Sequence, residues 1–239
     1  MSEENFKLDL ESAKKEMEDI FINELINYVR EGTMLKYDNS KQMKCYNIIY
    51  KLTDKGLGSD LLKYHTDIVE GIVSECYEKI KDLTGIEFID SFLLYTERLN
   101  AFFYYMSRAF SYLSNFYLKK SPDENKVRVL FIEEDVCEFS MKIYKRTFFD
   151  KLETKLFDTL NELSIKEKII CNAECKEKIL KIVKIINDIN IFKPKIIKIN
   201  EKSFSWKEIY NNDKGKVSSP SLKKCEDFCK KIGLQLENN

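Results

Sequence analysis

The chain has 239 residues, of which 44% are hydrophobic and 33% charged, and its 40 basic residues balance its 40 acidic residues. This composition excludes a disordered chain, and the zero net charge lacks the basic footprint of a dedicated nucleic-acid binder. With 7 glycines and 3 prolines, the sequence also lacks the turn residues that β-sandwiches and barrels need. We therefore expect an all-α protein with no nucleic-acid partner.

Hydrophobic residues at helical spacing predict six long helices in chain order. The first ends at Gly32, the second follows the possible N-caps Asp38, Asn39 and Ser40, the third runs from Leu61 to Leu83, the fourth from Glu87 to Lys120, the fifth from near Asn125 into Leu160, and the sixth from Ala173 to Ile191. Residues 195–200 alternate in polarity and favour a short strand or an extended segment.

The fourth helix is rich in aromatic residues on more than one face, which is typical of a helix buried among other helices. A stacking surface for single-stranded nucleic acid is the alternative, but such surfaces alternate aromatic with basic residues, and Arg108 is the one cation between Ala101 and Leu118. We therefore expect a buried face, represented by Phe110, Leu113 and Phe116.

The sequence contains no motif that indicates catalysis. P-loop, G-x-G-x-x-G and G-x-S-x-G patterns are missing, and the single histidine, His65, lies on an apolar helix face, where a structural role is expected. Cys171 and Cys175, like Cys225 and Cys229, are spaced one helical turn apart, unlike the loop knuckles of most structural zinc sites. We predict no enzyme activity, no cofactor and no metal.

The N-terminus and the cysteines indicate where the protein resides. Residues 1–19 are acidic and polar, unlike a signal peptide, and no stretch reaches 18 uncharged apolar residues, so no membrane partner is expected. Seven cysteines without an export signal indicate reduced thiols. The predicted localisation is cytoplasmic and/or nuclear.

Three motifs in helices two, four and five resemble the N-terminal region of cullins. They are the pair Tyr46-x-x-x-Tyr50, the segment Tyr112-Leu113-x-x-x-Tyr117-Leu118-Lys119-Lys120, and the segment Phe139-x-Met141-x-x-Tyr144-Lys145. Their order and spacing are similar to those of a five-helix cullin repeat. The resemblance implies a first repeat over residues 1–150 and a partial second repeat over residues 151–239.

The resemblance also implies a function. It predicts a non-catalytic scaffold of a cullin-RING ubiquitin ligase that binds a Skp-like or BTB/POZ-fold adaptor, without a RING subunit because the C-terminal cullin half is missing. Carried over by position, the adaptor contacts would be Ser40, Gln42, Met43, Tyr46, Tyr50, Glu134 and Cys137.

Two alternatives stay open from the sequence. Met43, Tyr46 and Tyr50 form one stripe of a helix, and this stripe could face the bundle core instead of a partner. A helical-repeat tether of the exocyst-like kind would have the same long antiparallel helices and is the second candidate function.

Overall fold

A computed structural model of the chain describes residues 3–33, 38–114, 136–166, 173–190, 223–224 and 227–228. Every regular element in these ranges is helical, which confirms the all-α prediction. The predicted strand at 195–200 and the predicted core residue Phe116 lie outside the described residues. No described helix is both long enough and apolar enough to cross a bilayer.

The described helices agree with the predicted order. They are α1 (Glu3–Met17), α2 (Asn23–Glu31), α3 (Asn39–Asp54), α4 (Gly58–Ile80), α5 (Gly85–Ala109), α6 (Val136–Tyr144), α7 (Asp150–Lys166) and α8 (Ala173–Asn190). A π-helical segment, Glu18–Ile22, joins α1 to α2, and a second one, Lys145–Phe149, joins α6 to α7.

The chain divides into two compact units. Unit 1 comprises Met1–Cys76 and Arg98–Tyr144, and unit 2 comprises Tyr77–Glu97 and Lys145–Asn239. Each unit thus contains two separate stretches of the chain. The division at residue 150 that the sequence suggests stays a prediction.

Unit 1 has an aliphatic and aromatic core in which Phe110 and Leu113 are fully buried, as predicted. His65 is also fully buried, and its ring lies 5.0 Å from the ring of Phe110. Its Nε2 atom lies 3.5 Å from Ser140 Oγ, while Nδ1 has no hydrogen-bond partner. Burial lowers the pKa of His65 to about 3, so the ring is neutral at pH 7. His65 therefore packs inside unit 1, as its position on an apolar helix face predicts.

The π-helical segment Glu18–Ile22 is a contact point for two other helices of unit 1. The Tyr64 hydroxyl of α4 donates to Glu18 Oε1 at 3.0 Å, and the Cys45 thiol of α3 lies 3.9 Å from the Met17 carbonyl oxygen. Burial raises the pKa of Cys45 to about 12, so this thiol stays protonated. The Tyr64 side chain of α4 thus contacts the π turn, and the Cys45 side chain of α3 contacts the residue just before it.

Helix α2 ends at a glycine that has two local functions. Gly32 has φ of 73°, the left-handed conformation of a C-terminal cap, and its N–H donates to the Tyr28 carbonyl at 2.9 Å. Arg98 of α5 donates from Nη1 to the Val29 carbonyl at 3.1 Å. A Cβ atom at position 32 would collide with the Arg98 guanidinium group.

We expect Gly32→Ala to lower the free energy of unfolding by about 1–2 kcal/mol, because a side chain is strained at positive φ and would displace Arg98 from the helix end. Gly71→Ala is a matched control, since Gly71 lies within α4, its φ is not positive, and nothing lies within 4 Å of the added Cβ. Gly71→Ala should raise the free energy of unfolding by about 0.5–1 kcal/mol. Urea unfolding measures this free energy for the two variants. Equal effects of the same sign would contradict the cap function of Gly32.

Unit 2 is built around stacked phenylalanines and two apolar helix faces. The rings of Phe92 and Phe148 stack with centroids 5.7 Å apart, and both side chains are fully buried. Helix α7 buries Leu152, Leu156 and Leu160, and α8 buries Ile179, Ile182, Ile186 and Ile189. These residues recur three and four positions apart, so each helix turns one continuous face to the core.

Candidate functional site

Helix α3 begins at one of the predicted caps. The Asp38 side chain accepts a hydrogen bond of 2.8 Å from the Ser40 N–H. A hydrogen bond from the Ser40 side chain and, after it, the bond from the Ser40 N–H lower the pKa of Asp38. The Asp38 cap fixes where α3 starts and hence which of its residues face solvent.

The residues predicted as adaptor contacts divide into exposed and buried ones. The Met43 and Tyr50 side chains are 50% and 44% exposed, Ser40 is exposed, and Tyr46 is half-buried. Gln42 and Cys137 are only 6% and 8% exposed. Glu134 lies outside the described residues. The stripe of α3 therefore faces outward, but two of the seven residues offer little area to a partner.

The exposed residues of α3 meet a tyrosine that follows α5. Tyr112 packs edge to face against Tyr46, with ring centroids 5.9 Å apart, and against Tyr50, with centroids 4.9 Å apart. We call Met43, Tyr46, Tyr50 and Tyr112 the tyrosine surface of unit 1. Partial burial is the main cause that raises the pKa of Tyr112, and the Tyr50 and Asp54 side chains also raise it. The Tyr112 hydroxyl therefore stays protonated.

Unit 2 carries a second notable surface, the lysine cluster, formed by Lys81, Lys151 and Lys155. The Lys151 Nζ atom lies 4.8 Å from the centroid of the Tyr77 ring, and Lys155 Nζ lies 5.0 Å from that of Phe88. Lys155 also donates to the Lys81 carbonyl oxygen, just beyond the end of α4. Two lysines of α7 therefore meet the end of α4 and the start of α5.

The electrostatics of the lysine cluster favour an anion. Lys81 forms an ion pair of 2.6 Å with Glu78, and this pair raises the pKa of Lys81. Lys151 is exposed and forms no ion pair with any described residue. Glu78 offsets the charge of Lys81, and Asp82 also contributes to its raised pKa, so the positive charge available to a ligand is that of Lys151 and Lys155. This arrangement can bind a phosphate or carboxylate group by charge-assisted hydrogen bonds.

Comparison with protein families decides what kind of domain carries this cluster. The family model of the CID domain, a helical domain of RNA-processing proteins, matches residues 70–199, which is more than half of the chain. The chain belongs to the CID family. The CID region includes all three lysines of the cluster. No curated protein and no solved structure matches the chain.

Membership of the CID family corrects the functional predictions from the sequence. The cullin resemblance is wrong, and with it the ubiquitin-ligase scaffold, the Skp-like or BTB/POZ adaptor and the alternative exocyst-like tether. The motifs misled because they consist of residues that amphipathic helices commonly place one turn apart. Leu113 and Tyr144, which counted as family signals, are fully buried core residues of unit 1.

The lysine cluster was missed by sequence reasoning, although part of its signal is present. Tyr77 and Lys81, like Lys151 and Lys155, are four residues apart and share a helix face. What the sequence does not reveal is that these two faces meet. Among the described residues no group of three or more His, Cys, Asp or Glu could hold a metal. The candidate thiols Cys171, Cys175, Cys225 and Cys229 lie outside the described side chains.

Proposed function

We propose that this chain is a non-catalytic binding module that recognises the phosphorylated C-terminal domain of RNA polymerase II during transcription or RNA processing. The observation that carries the proposal is the match of the CID family model over residues 70–199, since CID domains are associated with this ligand. A cytoplasmic and/or nuclear localisation is compatible with the family, and the proposed ligand favours the nucleus.

The lysine cluster is the proposed contact for a phosphate group of the ligand. Lys151 is exposed, held over the Tyr77 ring and not paired with a described acidic residue, so its ammonium group is available to a phosphate. Lys155 is half-buried and bonded to the Lys81 carbonyl, so it fixes the positive charge in place. A fixed cation loses little side-chain entropy when the ligand binds.

The proposal is tested with labelled peptides of the polymerase repeat, phosphorylated and unphosphorylated, by fluorescence anisotropy on the full chain. We expect binding of the phosphorylated peptide and much weaker binding of the other. Lys151→Glu should weaken the phosphopeptide complex about tenfold or more, because a charge-assisted hydrogen bond of about 1.5–3 kcal/mol is replaced by repulsion.

Lys184→Glu supplies the matched control, because Lys184 is an exposed lysine of α8 and the charge change is the same. Its affinity for the phosphopeptide should stay within about twofold of the unmodified chain. Equal binding of both peptides, or no binding of either, would contradict the proposed function. An equal loss of phosphopeptide affinity in Lys151→Glu and Lys184→Glu would show that the lysine cluster is not the binding site.

A further inference from the structure

The tyrosine surface of unit 1 is not explained by the proposed function. Met43 and Tyr50 are the clearly exposed large hydrophobic residues among the described part of unit 1, and they lie two turns apart on one face of α3. Tyr46 lies between them, and Tyr112 supports both tyrosines from a second element. Met43, Tyr46 and Tyr50 also lie outside residues 70–199, the span of the family match.

Positive charge borders this surface on the same helix. Lys44, Lys51 and Lys55 are exposed, with Lys55 just beyond the end of α3, and the exposed acid among them is Asp54, which contributes to the raised pKa of Tyr112. Lys44 and Lys51 follow Met43 and Tyr50 directly and form no ion pair with a described residue. At about 100° per residue, both lysines project about a quarter turn around α3 from the line through Met43 and Tyr50, whereas Asp54 lies on that line.

A second row of residues extends the pattern from α5. Tyr104, Arg108 and Tyr112 follow one another at four-residue intervals, and the chain stays helical here because the Ser114 N–H bonds to the Phe110 carbonyl at 3.4 Å. Arg108 lies 5.6 Å from the Tyr104 ring centroid and donates to its hydroxyl at 3.0 Å. Aromatic and cationic side chains thus alternate along this row, and on α3 the lysines lie to one side of the aromatic stripe.

We propose that the tyrosine surface, with Lys44 and Lys51, binds single-stranded RNA. Single-stranded nucleic acid is bound where aromatic rings stack on bases and lysines follow the phosphates, and the stacking tolerates any base sequence. A protein partner accounts for Tyr and Met but not for the lysines, because lysine is depleted in protein interfaces. The net charge of the whole chain is zero and does not reveal the lysines beside this surface. The RNA proposal therefore replaces the expectation of no nucleic-acid partner.

The test uses a fluorescein-labelled single-stranded oligouridine and a duplex RNA of equal length, with the full chain, by fluorescence anisotropy. The single strand should bind with a dissociation constant below about 0.1 mM and more tightly than the duplex, whose bases are not free to stack. Raising salt from about 50 to about 200 mM should weaken binding about sevenfold if two lysines contact phosphates.

Two double variants separate stacking from charge. Tyr46→Ala with Tyr50→Ala should weaken binding about tenfold or more, through lost stacking. Lys44→Glu with Lys51→Glu should weaken binding and reduce the salt dependence, because the released counterions are those of the phosphates these lysines contact. The control, Lys63→Glu with Lys184→Glu, makes the same charge change at exposed lysines elsewhere and should leave the affinity within about threefold.

Each outcome supports or overturns the RNA proposal. Loss of RNA binding in the tyrosine variant, with phosphopeptide binding and thermal unfolding retained, supports it. Tyr50→Ala alone, at an exposed position, provides a second test if the double variant does not fold. No RNA binding by the unmodified chain, equal affinity for duplex and single strand, or unchanged binding in the tyrosine variants overturns it, and the last result leaves this face to a protein partner.

Discussion

Replacing Phe110 with alanine should lower the free energy of unfolding by about 3–5 kcal/mol, because its ring is fully buried in unit 1 and its removal leaves a cavity. The variant loses the buried apolar area of the ring and gains a cavity, and both changes lower its stability. The His65 ring would also lose its aromatic neighbour at 5.0 Å. A protein of this size has about 5–15 kcal/mol of total stability, so the variant should unfold at far lower urea concentration.

The matched control for Phe110 is Tyr50→Ala, which removes an aromatic ring of similar size from the surface of the same unit. Tyr50 is 44% exposed, and its described ring contact is with Tyr112. Its loss should cost about 1 kcal/mol, the value of one aromatic pair. Urea unfolding followed by circular dichroism measures both variants. If they lose stability equally, Phe110 does not occupy a closed core.

Acid should destabilise the protein through His65 well before most carboxylates are protonated. The ring has a pKa of about 3 in the folded chain against 6.5 for an unburied histidine, because burial disfavours the imidazolium ion. Between these values the unfolded chain binds the proton and the folded chain does not, so stability falls as the pH falls below 6.5. From pH 7 to about pH 4.5 the loss from this group should be about 2–3 kcal/mol.

His65→Leu isolates the contribution of the histidine. The leucine has a similar volume and removes the buried Nδ1 atom that has no partner, while Ser140 Oγ keeps its bond of 3.1 Å to the Val136 carbonyl. Stability at pH 7 should therefore change by less than about 1 kcal/mol. Urea unfolding at a series of pH values should show a flatter acid dependence for the variant. Parallel curves for the two proteins would contradict the assignment, because all carboxylates are common to both.

The helices could be predicted from the sequence because their signals are local. The spacing of Leu61, Val69 and Val73 gives the buried face of α4, Gly32 gives the end of α2, and Asp38 gives the start of α3. Each of these depends on residues within one or two turns, which the sequence displays directly.

The sites could not be predicted to the same extent, because they depend on which helices meet. Nothing in the sequence indicates that Lys155 reaches the Lys81 carbonyl or that Lys151 lies over Tyr77, residues more than 70 positions apart. The Tyr46 and Tyr50 pair was found correctly as a stripe, but its partner Tyr112 was assigned to a family motif. Helical spacing of apolar residues is common to many all-α families and does not separate them. The CID family model matches residues 70–199, and Tyr46 and Tyr50 lie outside that span.

The π-helical segment Glu18–Ile22 takes up one residue of length between α1 and α2, because a π turn holds one residue more than an α turn. Met17 and Leu25 are eight positions apart, so at about 100° per residue a continuous α-helix would place them about 80° apart on its surface. With one residue taken up by the π turn, their separation is equivalent to seven positions, or about 20°, and both side chains are buried. Removing one residue from this segment should therefore restore an ordinary α-helix and keep both residues on the same face. Removing one residue between Leu10 and Met17 should instead rotate Leu10 by about 100° away from the core in which it is buried.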